Sequence, residues 1–474
     1  MKAVGIIAEY NPFHNGHKYQ IEQARRMTDA DYVIVVMSGS FVQRGTPAWT
    51  DKYLRTQIAL ECGADMVFEL PTAYATASAK DFAFGGVSLL QGLGCVDTLC
   101  FGSECGDIHA LWNAAQFLAD PGEAFETTIR ELVGKGLSYP AARAQAYAMH
   151  APTDDIAHPQ HIDMDSTPDN SSTASSLLQS PNNILGIEYL LALKQLHSKI
   201  IPVTIARKDH GYHETTAKDK YLSATGIRDY FLTQGKIPVD YLPAEAVNIL
   251  QAARNHYPVT LDDFSEMLYY RLSTCSPEDM TRCADVSDAL AARIHNLLPK
   301  YKTASDFIEL LKTKQYTLSR ISRALLHLLL HTTGEQTKLP VSYGNLLGFR
   351  GSASGLLRQV NDFPIITKKA DALCQFHKLT EASAKHAISL WNTDLLADNL
   401  YRQCLLHKTG CALPDCYHAG VFFISCAKIY NPLLVPLPQN PYDNRGTFIK
   451  RKGSPWQSII PMPPGACPCP GGRS

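Results

Sequence analysis

Two histidines three residues apart, His14 and His17, are the side chains whose types and spacing most clearly suggest chemistry. An apolar run, 3–8, precedes them and has the composition of a strand buried on both faces. Apolar residues recur at helical spacing from Ile21 onward. The sequence therefore predicts a strand, a tight loop and a helix, with both histidines where the helix begins.

This arrangement suits the binding of a phosphate group. The start of a helix offers unpaired backbone N–H groups and a partial positive charge. Gly16 lets the backbone approach a ligand closely. Both imidazoles can face one ligand and donate hydrogen bonds to phosphate oxygens while negative charge builds there. The alternative is a helix cap with two surface histidines, and the preceding strand favours the phosphate site.

Strands and helices alternate through the first half of the chain, which predicts an α/β fold with a Rossmann-like parallel sheet and right-handed crossovers. Ligands of such sheets bind at the carboxyl ends of the strands. Arg44 and Gly102 each lie at this edge, and Arg44 is either an anion-facing residue or an ordinary loop charge. The predicted strands are 3–8, 31–37, 65–71, 96–101 and 200–205.

The second half of the chain is mainly helical in pattern. Arg320 and Arg323 share one face of the last predicted helix, where they could track phosphates or form an ordinary solvated surface. The predicted helices are 243–256, 265–273, 287–298, 303–311 and 318–330.

Composition limits the possible partners and location of the protein. The chain has 474 residues and a formal net charge of -1, so its overall charge does not point to nucleic acid, although a local basic patch would be sufficient. No apolar run approaches the roughly 18 residues of a membrane span, and no signal-peptide pattern opens the chain. We therefore expect no membrane partner and a cytoplasmic location. The 13 cysteines favour buried thiols over zinc half-sites, which the pairs Cys411/Cys416 and Cys467/Cys469 could otherwise suggest.

Two motifs carry a family resemblance. His-Asn-Gly-His, residues 14–17, resembles the HxGH signature of the nucleotidyltransferase superfamily, whose members let an acceptor attack the α-phosphate of ATP and release pyrophosphate. The stretch 223–228 resembles the second signature of that superfamily, Ser-x-Thr-x-Ile-Arg. In that signature a second helix N-terminus and an arginine clamp the ATP phosphates. The two motifs together are far more specific than either alone.

The chain as a whole resembles the tRNA(Met) cytidine acetate ligase family, mainly over residues 1–350. Two features depart from the family pattern: segment 151–179 is longer than the family requires, and no arginine follows Tyr343. The resembling segments are 5–20, 39–47, 101–104, 180–189, 207–213, 223–228 and 317–331.

The resemblance implies a two-step reaction. Acetate attacks the α-phosphate of ATP to give acetyl-adenylate and pyrophosphate, and the wobble cytidine of elongator tRNA(Met) then takes the acetyl group on N4. It implies ATP and acetate as substrates, Mg²⁺ with the triphosphate, and tRNA rather than DNA as the nucleic acid. The sequence shows no dedicated carboxylate cage, so no protein ligand of the metal is named. The first step needs no general base, because acetate is already a carboxylate at neutral pH.

The same resemblance assigns site residues and regions. His14 and His17 are the expected catalytic pair, Ser223, Thr225 and Arg228 form the phosphate clamp, and Arg320, Arg323, Lys450, Arg451 and Lys452 are candidates for tRNA contact. The expected regions are an ATP-binding domain (1–236) and a mainly helical tRNA-binding domain (237–453). Composition, not the resemblance, predicts a flexible insertion at 151–179 and a disordered tail at 454–474. The expected ATP-binding residues are Ile7, Ala8, Glu9, Tyr10, Asn11, Pro12, Phe13, His14, Asn15, Gly16, His17, Lys18, Tyr19, Gln20, Gly102, Asn182, Arg207 and Lys208.

Two other functions stay open at this point. A small-molecule nucleotidyltransferase, acting on a nucleotide or a pantetheine-like acceptor, would share the histidine motif but would not explain so large a helical half. A non-catalytic RNA-binding module with a vestigial nucleotide site would not explain the joint presence of His14, Gly16, His17 and Arg228.

Overall fold

A computed structural model describes residues 1–151, 177–207, 222–314, 316–425 and 429–430. The chain from Met1 to Pro432 clusters as one compact unit. Most of the expected insertion (151–179), the tail (454–474), Lys208 and the basic residues Lys450, Arg451 and Lys452 lie outside the described residues. The expected boundary between residues 236 and 237 stays a prediction.

A nine-stranded sheet is the centre of the fold. Its strands and those of a separate hairpin are β1 (Ala3–Ala8), β2 (Tyr32–Ser38), β3 (Phe41–Val42), β4 (Thr46–Pro47), β5 (Met66–Leu70), β6 (Thr98–Ser103), β7 (Ile201–Ala206), β8 (Gly344–Arg350), β9 (Ile365–Ile366), β10 (Phe422–Ile424) and β11 (Ile429–Tyr430).

Five strands form the parallel part of this sheet, in the order β5-β2-β1-β6-β7. Residues Val4 and Ile6 of β1 and Val33 to Met37 of β2 are fully buried, as their apolar composition predicts. The predicted α/β class and parallel sheet are confirmed. Because all five strands run the same way, their carboxyl ends meet at one edge, where the loops after β1, β2 and β6 lie together with Arg207, the residue that follows β7.

The helices cover both faces of the sheet and fill the second half of the chain. They are α1 (Asn15–Thr28), α2 (Lys52–Glu61), α3 (Thr72–Ala75), α4 (Ala79–Gly92), α5 (Ile108–Ala119), α6 (Gly122–Gly134), α7 (Tyr139–His150), α8 (Pro181–Gln195), α9 (Ala224–Gln234), α10 (Ala244–Ala252), α11 (Ser265–Thr274), α12 (Pro277–Met280), α13 (Asp288–Leu297), α14 (Ala304–Leu311), α15 (Leu318–Leu330), α16 (Ser354–Leu357), α17 (Ala372–Phe376) and α18 (Glu381–Thr409).

The second half of the chain also extends the sheet. Strand β8 pairs antiparallel with β5, and β9 and β10 pair parallel with β8. The helical character of this half is confirmed, but its contribution to the sheet was not predicted. Within the described residues, no helix combines the length and apolar character that a membrane crossing requires.

Candidate functional site

A cavity of about 440 Å³ opens at the carboxyl edge of the parallel strands, within the usual size range of ligand sites. The loop from β1 to α1 forms its floor, and α8, α9 and the β3–β4 hairpin form its walls. Its lining residues are Ile7, Ala8, Glu9, Tyr10, Asn11, His14, Gly16, His17, Tyr19, Gln20, Val42, Gln43, Arg44, Thr46, Ala79, Phe82, Phe101, Gly102, Pro181, Asn182, Leu185, Tyr189, Ile205, Ala206, Arg207, Ser223, Ala224, Thr225 and Arg228.

The two histidines are fixed by the start of α1. His14 is the N-cap residue, and its Nδ1 accepts a hydrogen bond from the Gly16 backbone N–H at 3.1 Å. The Nδ1 of His17 accepts from the His14 backbone N–H at 3.3 Å, which completes a capping box. The imidazole rings stack with their centroids 3.7 Å apart. Helix capping therefore uses the Nδ1 atom of each ring.

These hydrogen bonds decide which nitrogen of each neutral ring carries the proton. In a neutral imidazole one nitrogen carries the proton and the other accepts. Because both Nδ1 atoms accept from the backbone, the neutral rings carry their protons on Nε2. Burial, with help from His14 and Arg207, lowers the pKa of His17 well below its usual value, so its ring is neutral at pH 7. In this state the His17 ring can donate a hydrogen bond through Nε2.

The lowered pKa of His17 predicts how stability depends on pH. When the pH falls below about 6.5, this histidine takes up a proton in the unfolded chain before it does so in the folded one, which destabilises the folded protein. We expect the thermal midpoint of the wild type to fall more than that of His17→Gln between about pH 7.5 and about pH 5.5. Parallel pH dependences of the two proteins, measured by thermal unfolding, would contradict this.

The second motif is joined to the loop that carries the first. Ser223 caps α9, with its Oγ accepting from the Gly226 backbone N–H at 3.2 Å. The Arg228 guanidinium donates to the Thr225 hydroxyl at 3.1 Å and to the backbone carbonyl of Asn11. Arg228 is thus held in place by its own helix and by the β1–α1 loop, and the two helix starts face one cavity.

The opposite wall of the cavity is built around the start of α8. The carboxylate of Glu104 accepts hydrogen bonds from the Asn182 side chain and from the backbone N–H groups of Asn182 and Asn183, at 2.7–3.1 Å. The Asn183 side-chain oxygen accepts in return from the backbone of Glu104. Arg207 donates to the Asn182 side-chain oxygen at 3.0 Å, beside the bare backbone of Gly102. The start of α8 is therefore already occupied by a carboxylate, and this wall suits a nucleoside better than phosphate.

Arg55 holds together the backbone segments that surround the cavity, and it was not predicted from the sequence. Its side chain is fully buried and donates to the backbone carbonyls of Glu9, Ser38, Gly39 and Thr50. These carbonyls belong to the ends of β1 and β2 and to the start of α2, so one guanidinium fixes three segments around the cavity. No local pattern identifies Arg55, because Asp51 lies one turn before it and polar residues follow it, so the sequence resembles that of an ordinary helix surface.

Among the described residues that were expected to bind ATP, four do not line the cavity. Pro12 and Phe13 are buried beneath it. Asn15 donates to the carbonyl of Asp240 at 3.1 Å, and Lys18 forms a salt bridge with Glu245 at 2.8 Å on the outer side of α1. Asn15 and Lys18 therefore connect α1 to the segment around α10.

The arginines expected to bind tRNA lie away from the cavity lining, on α15. Arg323 forms a salt bridge with Asp285 at 2.8 Å and its side chain is 15% exposed. The Arg320 guanidinium stacks over the ring of Tyr316, 5.1 Å from its centroid. Whether either residue contacts tRNA stays a prediction.

Comparison with known proteins gives one consistent result. The model of the HIGH Nucleotidyl Transferase family matches residues 1–411. The tRNA(Met) cytidine acetate ligase of Acetivibrio thermocellus is 36% identical over 419 residues, which cover 85% of this chain and 95% of the relative. That of Caldanaerobacter subterraneus is 38% identical over 403 residues, covering 83% and 94%.

A solved structure agrees with these relatives. The crystal structure of Thermotoga maritima TmcAL bound with alpha-thio ATP superposes with a TM-score of 0.78, at 29% sequence identity, over 90% of this chain and all of that one. The family model, the sequence relatives and this structure all extend well beyond the parallel sheet into the helical half. The chain belongs to the tRNA(Met) cytidine acetate ligase family within the HIGH nucleotidyltransferases.

Proposed function

We propose that this protein is an ATP-dependent ligase that forms N4-acetylcytidine at the wobble position of elongator tRNA(Met). Acetate is activated as acetyl-adenylate with release of pyrophosphate, and the acetyl group then passes to N4 of the cytidine. The observation that carries the proposal is the convergence of the 14–17 and 223–228 motifs on one cavity, in a chain that matches the ligases over 94–95% of their length.

In the first step the protein positions the reactants and stabilises charge. Acetate and the triphosphate are both anions, so the barrier includes their mutual repulsion. The Nε2–H groups of His14 and His17, together with Arg228, supply donors where charge develops on the phosphates. Gly102, Asn182 and Arg207 hold the nucleoside side in this proposal.

Mg²⁺ enters this proposal as part of the nucleotide substrate. Among the described lining residues, Glu9 is the one that carries a carboxylate. Its Oε1 accepts a hydrogen bond from the Gln43 backbone N–H at 2.8 Å, and burial raises its pKa. No group of three or more potential metal-ligating side chains occurs within the described ranges. The residues do not form a cage for a resident metal, so no step is assigned to one.

The second step requires an accessible cytidine. A wobble base belongs to a single-stranded loop, where a protein can extrude and stack it. The helical half, including Arg320 and Arg323 on α15, stays our proposed tRNA-binding region.

The function is tested by incubating the protein with ATP, acetate and bulk tRNA. We expect pyrophosphate release that depends on acetate and new N4-acetylcytidine in the tRNA, detected by nucleoside mass analysis. Pyrophosphate release without modified RNA would favour the small-molecule nucleotidyltransferase. Binding of ATP without turnover would favour the non-catalytic RNA-binding module.

A further inference from the structure

Arg44 lies between the two short strands of the β3–β4 hairpin and lines the cavity. Its side chain is exposed, and its guanidinium makes no hydrogen bond or salt bridge with any residue that the structure describes. The other two arginines of the lining are engaged, Arg228 with the Asn11 carbonyl and Arg207 with Asn182. Arg44 therefore presents open donors to the cavity.

The hairpin that carries Arg44 is held on both sides of this residue. Before it, the Gln43 backbone N–H donates to Glu9 at 2.8 Å. After it, the Gly45 carbonyl accepts from the Ser322 hydroxyl of α15 at 2.8 Å. Gly45 has φ +74°, and a Cβ at this position would lie 2.4 Å from the backbone nitrogen of Arg323. Only glycine allows this direct contact between the hairpin and α15.

The position of Arg44 in the cavity points to its ligand. Gly102 and Arg207 come from β6 and β7, on one side of β1, whereas the hairpin follows β2 on the other side. With the nucleoside against the β6–β7 side and the phosphates above the start of α1, the space beside Arg44 is left for the second substrate. Val42 and Phe82 are buried apolar residues that also contribute to the lining, so the cavity can accommodate a short alkyl group.

We propose that Arg44 binds the carboxylate of the acyl substrate, and that Gly45 and Ser322 position it. This inference rests on the proposed function. The guanidinium donates to one carboxylate oxygen, and the other oxygen attacks the α-phosphorus. A bond forms between this oxygen and phosphorus, the bond from the α-phosphorus to the bridging oxygen breaks, and pyrophosphate leaves with the electron pair. No proton is transferred.

The test separates acetate binding from nucleotide binding. Acetate-dependent pyrophosphate release is measured in the wild type, in Arg44→Ala and Arg44→Lys, and in the control Arg130→Ala, an exposed arginine of α6 outside the cavity lining. We expect Arg44→Ala to raise the KM for acetate about tenfold to a hundredfold, with the KM for ATP within about twofold of wild type. Arg44→Lys recovers part of this loss because it keeps the charge without the planar donor pair.

Two outcomes would overturn the assignment. An unchanged KM for acetate in Arg44→Ala would remove Arg44 from the acyl site. An equal rise in both KM values would place Arg44 on the nucleotide instead. Failure of the proposed function is distinguishable, because the wild type itself would then release no pyrophosphate in response to acetate.

A separate variant tests whether α15 positions Arg44. Ser322→Ala removes the hydroxyl that donates to Gly45, and we expect it to raise the KM for acetate about threefold to tenfold while the KM for ATP stays constant. The same KM for acetate as in the wild type would show that this hydrogen bond does not position Arg44. Gly45→Ala, which also disturbs the backbone contact, should have a larger effect in the same direction.

Discussion

His17→Ala lowers acetate-dependent pyrophosphate release by about a hundredfold to a thousandfold, the loss expected when one preorganised donor is removed from a developing negative charge. The effect should be on kcat, because the donor acts most strongly where charge develops in the transition state. The measurement is steady-state pyrophosphate release at saturating ATP and acetate. His109→Ala, at an exposed histidine of α5 outside the cavity lining, is the matched control and should retain wild-type activity.

A second variant separates this catalytic loss from loss of the helix cap. Glutamine at the third helical position of a capping box can accept the N-cap N–H, as the His17 ring does. His17→Gln should therefore keep the thermal midpoint of the wild type near pH 7 while its rate stays low. Pyrophosphate release near the wild-type rate in His17→Ala would refute the assignment of His17 to the phosphates.

Lys52→Met costs about 3–5 kcal/mol of unfolding free energy, the largest stability effect that we expect from a single substitution in this chain. The Lys52 ammonium is buried and lies 2.6 Å from both Glu69 and Asp398. Burial opposes its charge, but the two carboxylates outweigh burial and raise the pKa of this lysine. Methionine fills the same volume but leaves both carboxylates without their shared cation.

This ion cluster links the site to the helical half. Asp398 belongs to α18 and also accepts hydrogen bonds from Lys369 and from Ser40, in the loop after β2. The measurement is urea unfolding of Lys52→Met against Lys385→Met, which removes an exposed pair with Glu381 on the same helix and should cost less than about 0.5 kcal/mol. Similar costs for the two variants would show that the cluster does not hold α18 to the sheet.

The parts of the fold that sequence reasoning predicted are those with strong local signals. The five parallel strands are mainly apolar runs, and α1 and α9 begin at capping residues, His14 and Ser223. Strand β8 was missed because it contains Gly344 and Gly348, and glycine weakens strand propensity. A side chain at either position would crowd the side chains packed against this strand. Helix α18 was missed because its apolar residues are distributed around the whole helix, with Asp394 buried among them.

The site was predictable to the extent that its motifs are contiguous. Residues 14–17 and 223–228 could be identified along the sequence, but the bond from Arg228 to the Asn11 carbonyl joins residues more than 200 positions apart. The same holds for Arg55, whose acceptors come from three segments, and for the contact of Gly45 with α15. Such partners are chosen by tertiary packing, which no local pattern contains.

The central claim is that this cavity activates acetate at the α-phosphate of ATP. The most direct measurement uses acetate labelled with ¹⁸O in both oxygens, together with ATP and tRNA, followed by mass analysis of AMP, pyrophosphate and the modified nucleoside. In the proposed reaction one acetate oxygen bonds to the α-phosphorus and stays there when cytidine attacks the acetyl carbonyl. AMP should therefore carry one ¹⁸O and pyrophosphate none. Unlabelled AMP, or label in pyrophosphate, would contradict attack at the α-phosphate.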